Sequence, residues 1–197
     1  VSETLRDGIP TLEDLIGREW PAGDRLDVVE SASPYLYGYS GWFRPAEGLI
    51  EIGDELDGQV VLHELAHLWF NDRLFEGRWI SEGLAETYAA RARSALGEPA
   101  AEPAEPDPAH PGAQPLEQWR NPDLTEAVAD ERERYGYAPS HLVVDRLVDQ
   151  AGEGAMRAVL DAAADREISY VGDGPPEQVE GAPGWRRFLD LVEERTE

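Results

Sequence analysis

Apolar residues first recur at helical spacing behind Pro10, where Leu12, Leu15 and Ile16 predict a helix over residues 10–20. The pattern then shortens. Residues 26–31 (LDVVES) read as a strand, residues 34–43 (PYLYGYSGWF) as glycine-broken strands or loops, and residues 48–53 (GLIEIG) as a strand alternating Ile50, Glu51 and Ile52. Helical spacing returns after Asp57, a suitable N-cap. Leu62, Leu65, Ala66 and Trp69 fall at i, i+3, i+4 and i+7, and Val61 and Leu68 widen the apolar surface. A largely buried helix running to about Phe70 is therefore predicted. Residues 81–96 predict a second helix with Ser81 as its cap. Three more apolar repeats follow: Val144, Leu147, Val148 and Ala151 before Gly152; Met156, Val159, Leu160 and Ala163; and Trp185, Phe188, Leu189 and Val192. A small β region followed by helices predicts one α+β domain over residues 1–197, its N-terminal sheet mostly antiparallel. Residues 97–115, rich in proline and low in complexity, are expected to form an extended loop, with His110 in it solvated.

Composition narrows the partners. The chain has 197 residues and a net charge of −24, and all 17 of its basic residues are arginine. Such a surface repels nucleic acid and anionic membranes, which are bound through basic patches. No apolar run approaches the roughly 18–20 residues of a membrane span. No signal peptide opens the chain, and a start at Val1 is read as that of a fragment or processed form. Cysteine is absent, which removes thiolate metal sites and thiol nucleophiles. A metal here must be held by His, Asp or Glu.

Two of the chain's four histidines sit at positions 63 and 67, in HELAH. On a helix His63 and His67 lie one turn apart on one face, about 6 Å along the axis. Glu64, one residue on, sits beside the pair, where it could act on a water held by a metal. The motif is short, and both imidazoles could instead be hydrogen-bonded core groups. Burying two imidazoles and a carboxylate on an apolar helix is costly without partners, and a metal supplies one. A catalytic zinc site needs a third protein ligand, and Glu82 and Glu86 stand one turn apart on the second helix.

HELAHLWF, then WISEGLAETY, then YAPSHLVVDRLVDQAG, resembles the gluzincin metallopeptidases of the aminopeptidase N and thermolysin type, and most of all their short "peptidase MA-like" relatives. The resemblance runs from about Gly48 to Gly152, and its specific part is the helix pair. It implies a zincin-like helical bundle behind the sheet, a Zn²⁺ cofactor, and a peptide or protein substrate. It also makes Glu82, in the W-x-x-E-G-x-A segment, the third ligand beside His63 and His67. Glu86 matches the acidic residue that, four places on, orients a ligand histidine in thermolysin-like relatives. Spacing pulls the other way. Aminopeptidases place 18 residues between the second His and the ligand Glu; here 14 separate His67 from Glu82 and 18 separate it from Glu86. The strand at 48–52 resembles the edge strand against which such enzymes lay an extended peptide. The amine-binding G-A-M-E-N segment is missing, so the resemblance implies an endopeptidase rather than an aminopeptidase. Relatives of this kind are often exported or membrane-tethered.

In the aminopeptidases a tyrosine at the entrance of a later helix donates to the carbonyl oxygen as charge builds on it. Tyr137 lies at the matching distance from Gly152, with Pro139 suited to a first turn; Tyr135 competes with it, and the family's K-G pair is replaced by Pro139 and Ser140. His141, one turn beyond Tyr137, is expected to have a structural or surface role rather than to face the cleft as a second donor. The reading is a zinc peptidase: His63, His67 and Glu82 on the metal, Glu64 as general base, Tyr137 on the oxyanion. Its rival is a non-catalytic domain of the same build that binds a peptide or a partner protein.

Overall fold

The computed structural model describes all residues except 24, 32–38, 55, 122–130, 173, 175, 176 and 197. Residues 34–38, half of the aromatic stretch at 34–43, therefore lie outside the described residues. Helix α1 (Ser2–Ile16) opens the chain, then strands β1 (Asp27–Glu30), β2 (Gly41–Arg44) and β3 (Leu49–Ile52), then α2 (Gly58–Ala66) and α3 (Arg78–Ala95). Helices α4 (Glu131–Ala151), α5 (Glu153–Ala164) and α6 (Trp185–Thr196) complete the order, an α+β arrangement. None of these helices is long and apolar enough to cross a membrane.

The sheet corrects two expectations. Its order is β1-β3-β2, with β1 parallel and β2 antiparallel to β3. It is mixed rather than mostly antiparallel, and Leu49–Ile52 is the central strand, not an edge. The better-buried strand takes the middle: β3 carries the buried Ile50 and Ile52, whereas β1 is largely exposed and lies at an edge. The edge beside the helices is β2. Gly53 N–H bonds to Ser40 C=O at 2.8 Å, which fixes the phase of the ladder. By antiparallel alternation, the main-chain groups of Gly41 and Phe43 then point away from β3.

Several helix ends also shift. Helix α1 begins eight residues before Pro10 and contains it. Asp57 caps α2 as expected, accepting from Gln59 N–H at 2.9 Å. The helix stops at Ala66, short of Phe70, because Asn71 Nδ2 reaches back to the carbonyls of His67 and Leu68 at 3.1 and 3.0 Å and satisfies a turn there. Helix α3 starts at Arg78, three residues before Ser81, behind Gly77 at φ 125°. Helix α4 already runs at Glu131, so Pro139 is interior and Tyr137 is not at the helix entrance.

Helices α2 and α3 occupy the centre of one hydrophobic core that draws on the sheet and all the other helices. Val61, Leu62, Leu65 and Ala66 of α2 are fully buried. Each of the larger of these side chains contributes roughly 1.5–3 kcal/mol by leaving water. Helix α4 crosses α3 at Gly83, where a Cβ would lie 2.7 Å from Ser140 C=O and 2.5 Å from Val144. That close approach is what brings Tyr137, one turn before Ser140 on α4, over the Glu82 turn of α3. Residues 97–115 lie along α4: Glu105 pairs with Arg146 at 2.6 Å. His110, expected to be solvated, stacks on Tyr135 with ring centres 5.5 Å apart and accepts from Gly112 N–H at 3.0 Å.

Candidate metal centre

His63, Glu64 and Glu82 come from the two central helices, and His67 is the C-cap residue of α2. His67 N–H still bonds to His63 C=O at 3.2 Å, so the turn that stacks the two imidazoles survives the early end of the helix. Their Nε2 atoms lie 3.1 Å apart. Glu82 Oε2 lies 3.2 Å from His63 Nε2 and 3.4 Å from His67 Nε2.

The tautomers follow from the other ring nitrogens. His67 Nδ1 is 3.0 Å from Phe70 C=O, which can only accept, so Nδ1 carries the proton. His63 Nδ1 is 2.8 Å from Glu86 Oε2 and donates to that carboxylate. Each ring, when neutral, therefore turns an Nε2 lone pair inward. Two lone pairs and a carboxylate oxygen converge within 3.4 Å, which is repulsive unless a cation or protons stand between them. A divalent transition-metal ion bound tetrahedrally at about 2.0–2.1 Å sets its ligand atoms about 3.3 Å apart. The three observed separations match that edge. His63, His67 and Glu82 thus form a group that could hold a metal ion.

Glu86 is not in this group; it fixes the His63 ring from the far side and is itself held by Gln59 Nε2 at 2.9 Å. The two glutamates that competed in the sequence are separated by the ring nitrogen each one faces.

Electrostatics follow from burial against pairing. Burial alone would pull His63 down, but its hydrogen bonds to Glu82 and Glu86 hold it well above the ordinary imidazole value. Burial would raise Glu82, yet His67 and His63 hold it well below the carboxylate range. Glu86 is lowered in the same contest by His63. Glu64 goes the other way: burial raises it, against the opposing pull of the two histidines. It packs against β2, where a Cβ on Gly41 would come within 2.8 Å of its carboxylate.

All of these groups except Glu86 line one cavity of about 390 Å³, walled on one side by Gly41, Trp42 and Phe43. Tyr137 also lines it, whereas Tyr135 faces His110. Burial pushes the Tyr137 phenol well above its usual value. No residue of 97–115 lines this cavity. His141 is buried, faces Glu86 rather than the cavity, and is lowered by burial.

The sequence reading missed a second set of residues. Arg78, one turn before Glu82, reaches Glu82 Oε1 at 3.5 Å, Tyr137 Oη at 2.9 Å and Asn121 Oδ1 at 3.0 Å, and pairs with Glu133. Its guanidinium lies 4.7 Å from the Trp119 ring centre. Trp119 Nε1 and Tyr39 Oη both donate to Glu133, at 2.9 and 2.6 Å. The available signal was the i,i+4 pair Arg78–Glu82, visible only once the helix is known to start at Arg78.

Compared with known protein families, with curated proteins and with solved structures, the chain matches none.

Proposed function

We propose that the chain is a zinc-dependent peptidase of the gluzincin kind, its helices a zincin-like bundle. The observation that carries this reading is the convergence of three lone-pair donors at tetrahedral spacing with Glu64 in the same cavity. Two imidazoles and one carboxylate suit zinc, and three protein ligands leave a fourth position for water. The ion would supply an acidified water and a positive charge beside the peptide carbonyl.

The chain's own groups do the rest. Glu64, raised by burial, takes a proton from the attacking water and delivers it to the leaving amine. Tyr137 donates to the carbonyl oxygen as charge grows there. Glu86 and the Phe70 carbonyl hold the rings of His63 and His67 in the ligating tautomer. Glu64 takes the Phe43 N–H, and the remaining outward main-chain groups, those of Gly41 and the Phe43 carbonyl, pair with an extended peptide, so the receiving strand is β2. A second cavity of about 470 Å³ shares the wall residues Gly77, Arg78 and Asn121 with the first, and a peptide occupying both would be cut within its chain rather than trimmed at its end.

The alternative is a domain that binds such a peptide without cutting it. The Tyr137 hydroxyl is already engaged by Arg78 and Glu133, which favours that reading. Turnover of a quenched-fluorescence peptide library separates the two. The proposal expects cleavage that zinc restores after chelation and that Glu64→Gln abolishes. Binding without cleavage in the zinc-loaded protein would favour the alternative.

A further inference from the structure

The peptidase reading leaves Arg78 without a task, yet its side chain is only 8% exposed and lines both cavities. A buried charge is costly, and an apolar side chain at such a position commonly gives an equally stable or more stable fold. Its Nε has no hydrogen-bond partner, so this guanidinium is not arranged for the best pairing of its own donors. Its terminal nitrogens are arranged instead around groups of the metal centre.

Two contacts define what it does there. Glu82 has two oxygens; Oε2 faces the two Nε2 atoms, while Oε1 faces Arg78 at 3.5 Å. An unheld carboxylate can turn both oxygens toward a cation. At Tyr137, the Arg78 N–H occupies a lone pair of the hydroxyl oxygen at 2.9 Å, which leaves the hydroxyl to act as a donor. Its present acceptor is Glu133 Oε1 at 3.3 Å, a long bond that a substrate oxygen can replace. Arg78 is in turn held by Glu133 and Asn121 and capped by the Trp119 ring.

Resting on the metal-site reading, we propose that Arg78 is a positioning residue that keeps Glu82 to one oxygen on the metal and keeps Tyr137 a donor. It does not bind a substrate carboxylate: Glu82 and Glu133 already face it, and a third anion would be repelled. A fourth metal position would stay open for water because the charge of Arg78, 3.5 Å from Glu82 Oε1, draws that oxygen away from it.

The test is cobalt(II) substitution, whose visible d–d band weakens several-fold when a four-coordinate site becomes five-coordinate. Wild-type protein, Arg78→Met and Arg78→Lys are loaded with cobalt after chelator stripping, and the bands are compared at equal occupancy. Wild type is expected to show the four-coordinate band and Arg78→Met the weaker one, with Glu82 closed onto the metal through both oxygens. Should Arg78→Met not fold, Arg78→Lys decides. In arginine one terminal nitrogen meets Glu82, Tyr137 and Glu133 while the other is anchored on Asn121; a lysine ammonium loses that anchor and the planar fork that aims the first nitrogen, so kcat is expected to fall about tenfold with KM unchanged. Variant spectra and kcat equal to wild type would overturn the inference alone. A wild-type protein that takes up no cobalt would overturn the metal-site reading and the inference with it.

Discussion

Zinc should raise the stability of this fold, by an amount that pH controls. The three ligand atoms already stand 3.1–3.4 Å apart, so binding needs little rearrangement of the helices. An ion that binds the folded state alone stabilises it by RT ln(1 + [L]/Kd), which is about 2.7 kcal/mol at a hundredfold excess over Kd. For a chain of this length that corresponds to a rise in Tm of about 5–10 °C. Protons compete for the same site. The folded value of His63 is raised, so its proton stabilises the metal-free fold below the unfolded imidazole value, and that contribution is lost as pH rises through the folded value. Zinc must displace this proton, so the zinc-induced rise in Tm should be larger at pH 8 than at pH 6. Thermal melts of chelator-stripped protein with and without zinc, at both pH values, measure it. His67→Ala should remove most of the shift. A rise of the same size in His67→Ala, or a rise independent of pH, would refute the assignment of the ligands.

Other expectations follow from single contacts. Glu64→Gln should bind zinc as wild type does and lose turnover by a factor of about 10²–10⁴, read from zinc content and peptide cleavage together. Glu86→Ala removes the partner of His63 Nδ1 and should weaken zinc binding about 10–100-fold in a competition assay with a coloured chelator. Gly136→Ala would put a Cβ 2.2 Å from the Trp119 ring, and the displaced indole should cost about 1–3 kcal/mol in denaturant unfolding.

Local rules reached the parts of the site that lie within one helical turn. HELAH states its own geometry, and Asp57 announces the start of its helix. The glutamates could be ranked only through resemblance, because their separation depends on which ring nitrogen each one meets. Non-local facts were out of reach. Pairing of β1 with β3 across an intervening strand put 49–52 in the centre and gave the edge to β2. Proline misled twice: Pro10 and Pro139 read as helix starts, yet both lie inside helices whose burial outweighs one missing hydrogen bond. Arg78 went unread because the second helix seemed to need a serine cap, and Gly77 served instead. Trp119 and Glu133 join the site from distant segments, which no spacing rule connects.

The central claim is that His63, His67 and Glu82 hold one zinc ion, and anomalous diffraction above and below the zinc edge tests it most directly. Crystals grown without chelator, or soaked in zinc, are predicted to give one strong peak about 2 Å from both Nε2 atoms and from Glu82 Oε2. A peak on Glu86 in place of Glu82 would contradict the ligand assignment. No peak after soaking would contradict the metal centre itself and leave HELAH as part of the core.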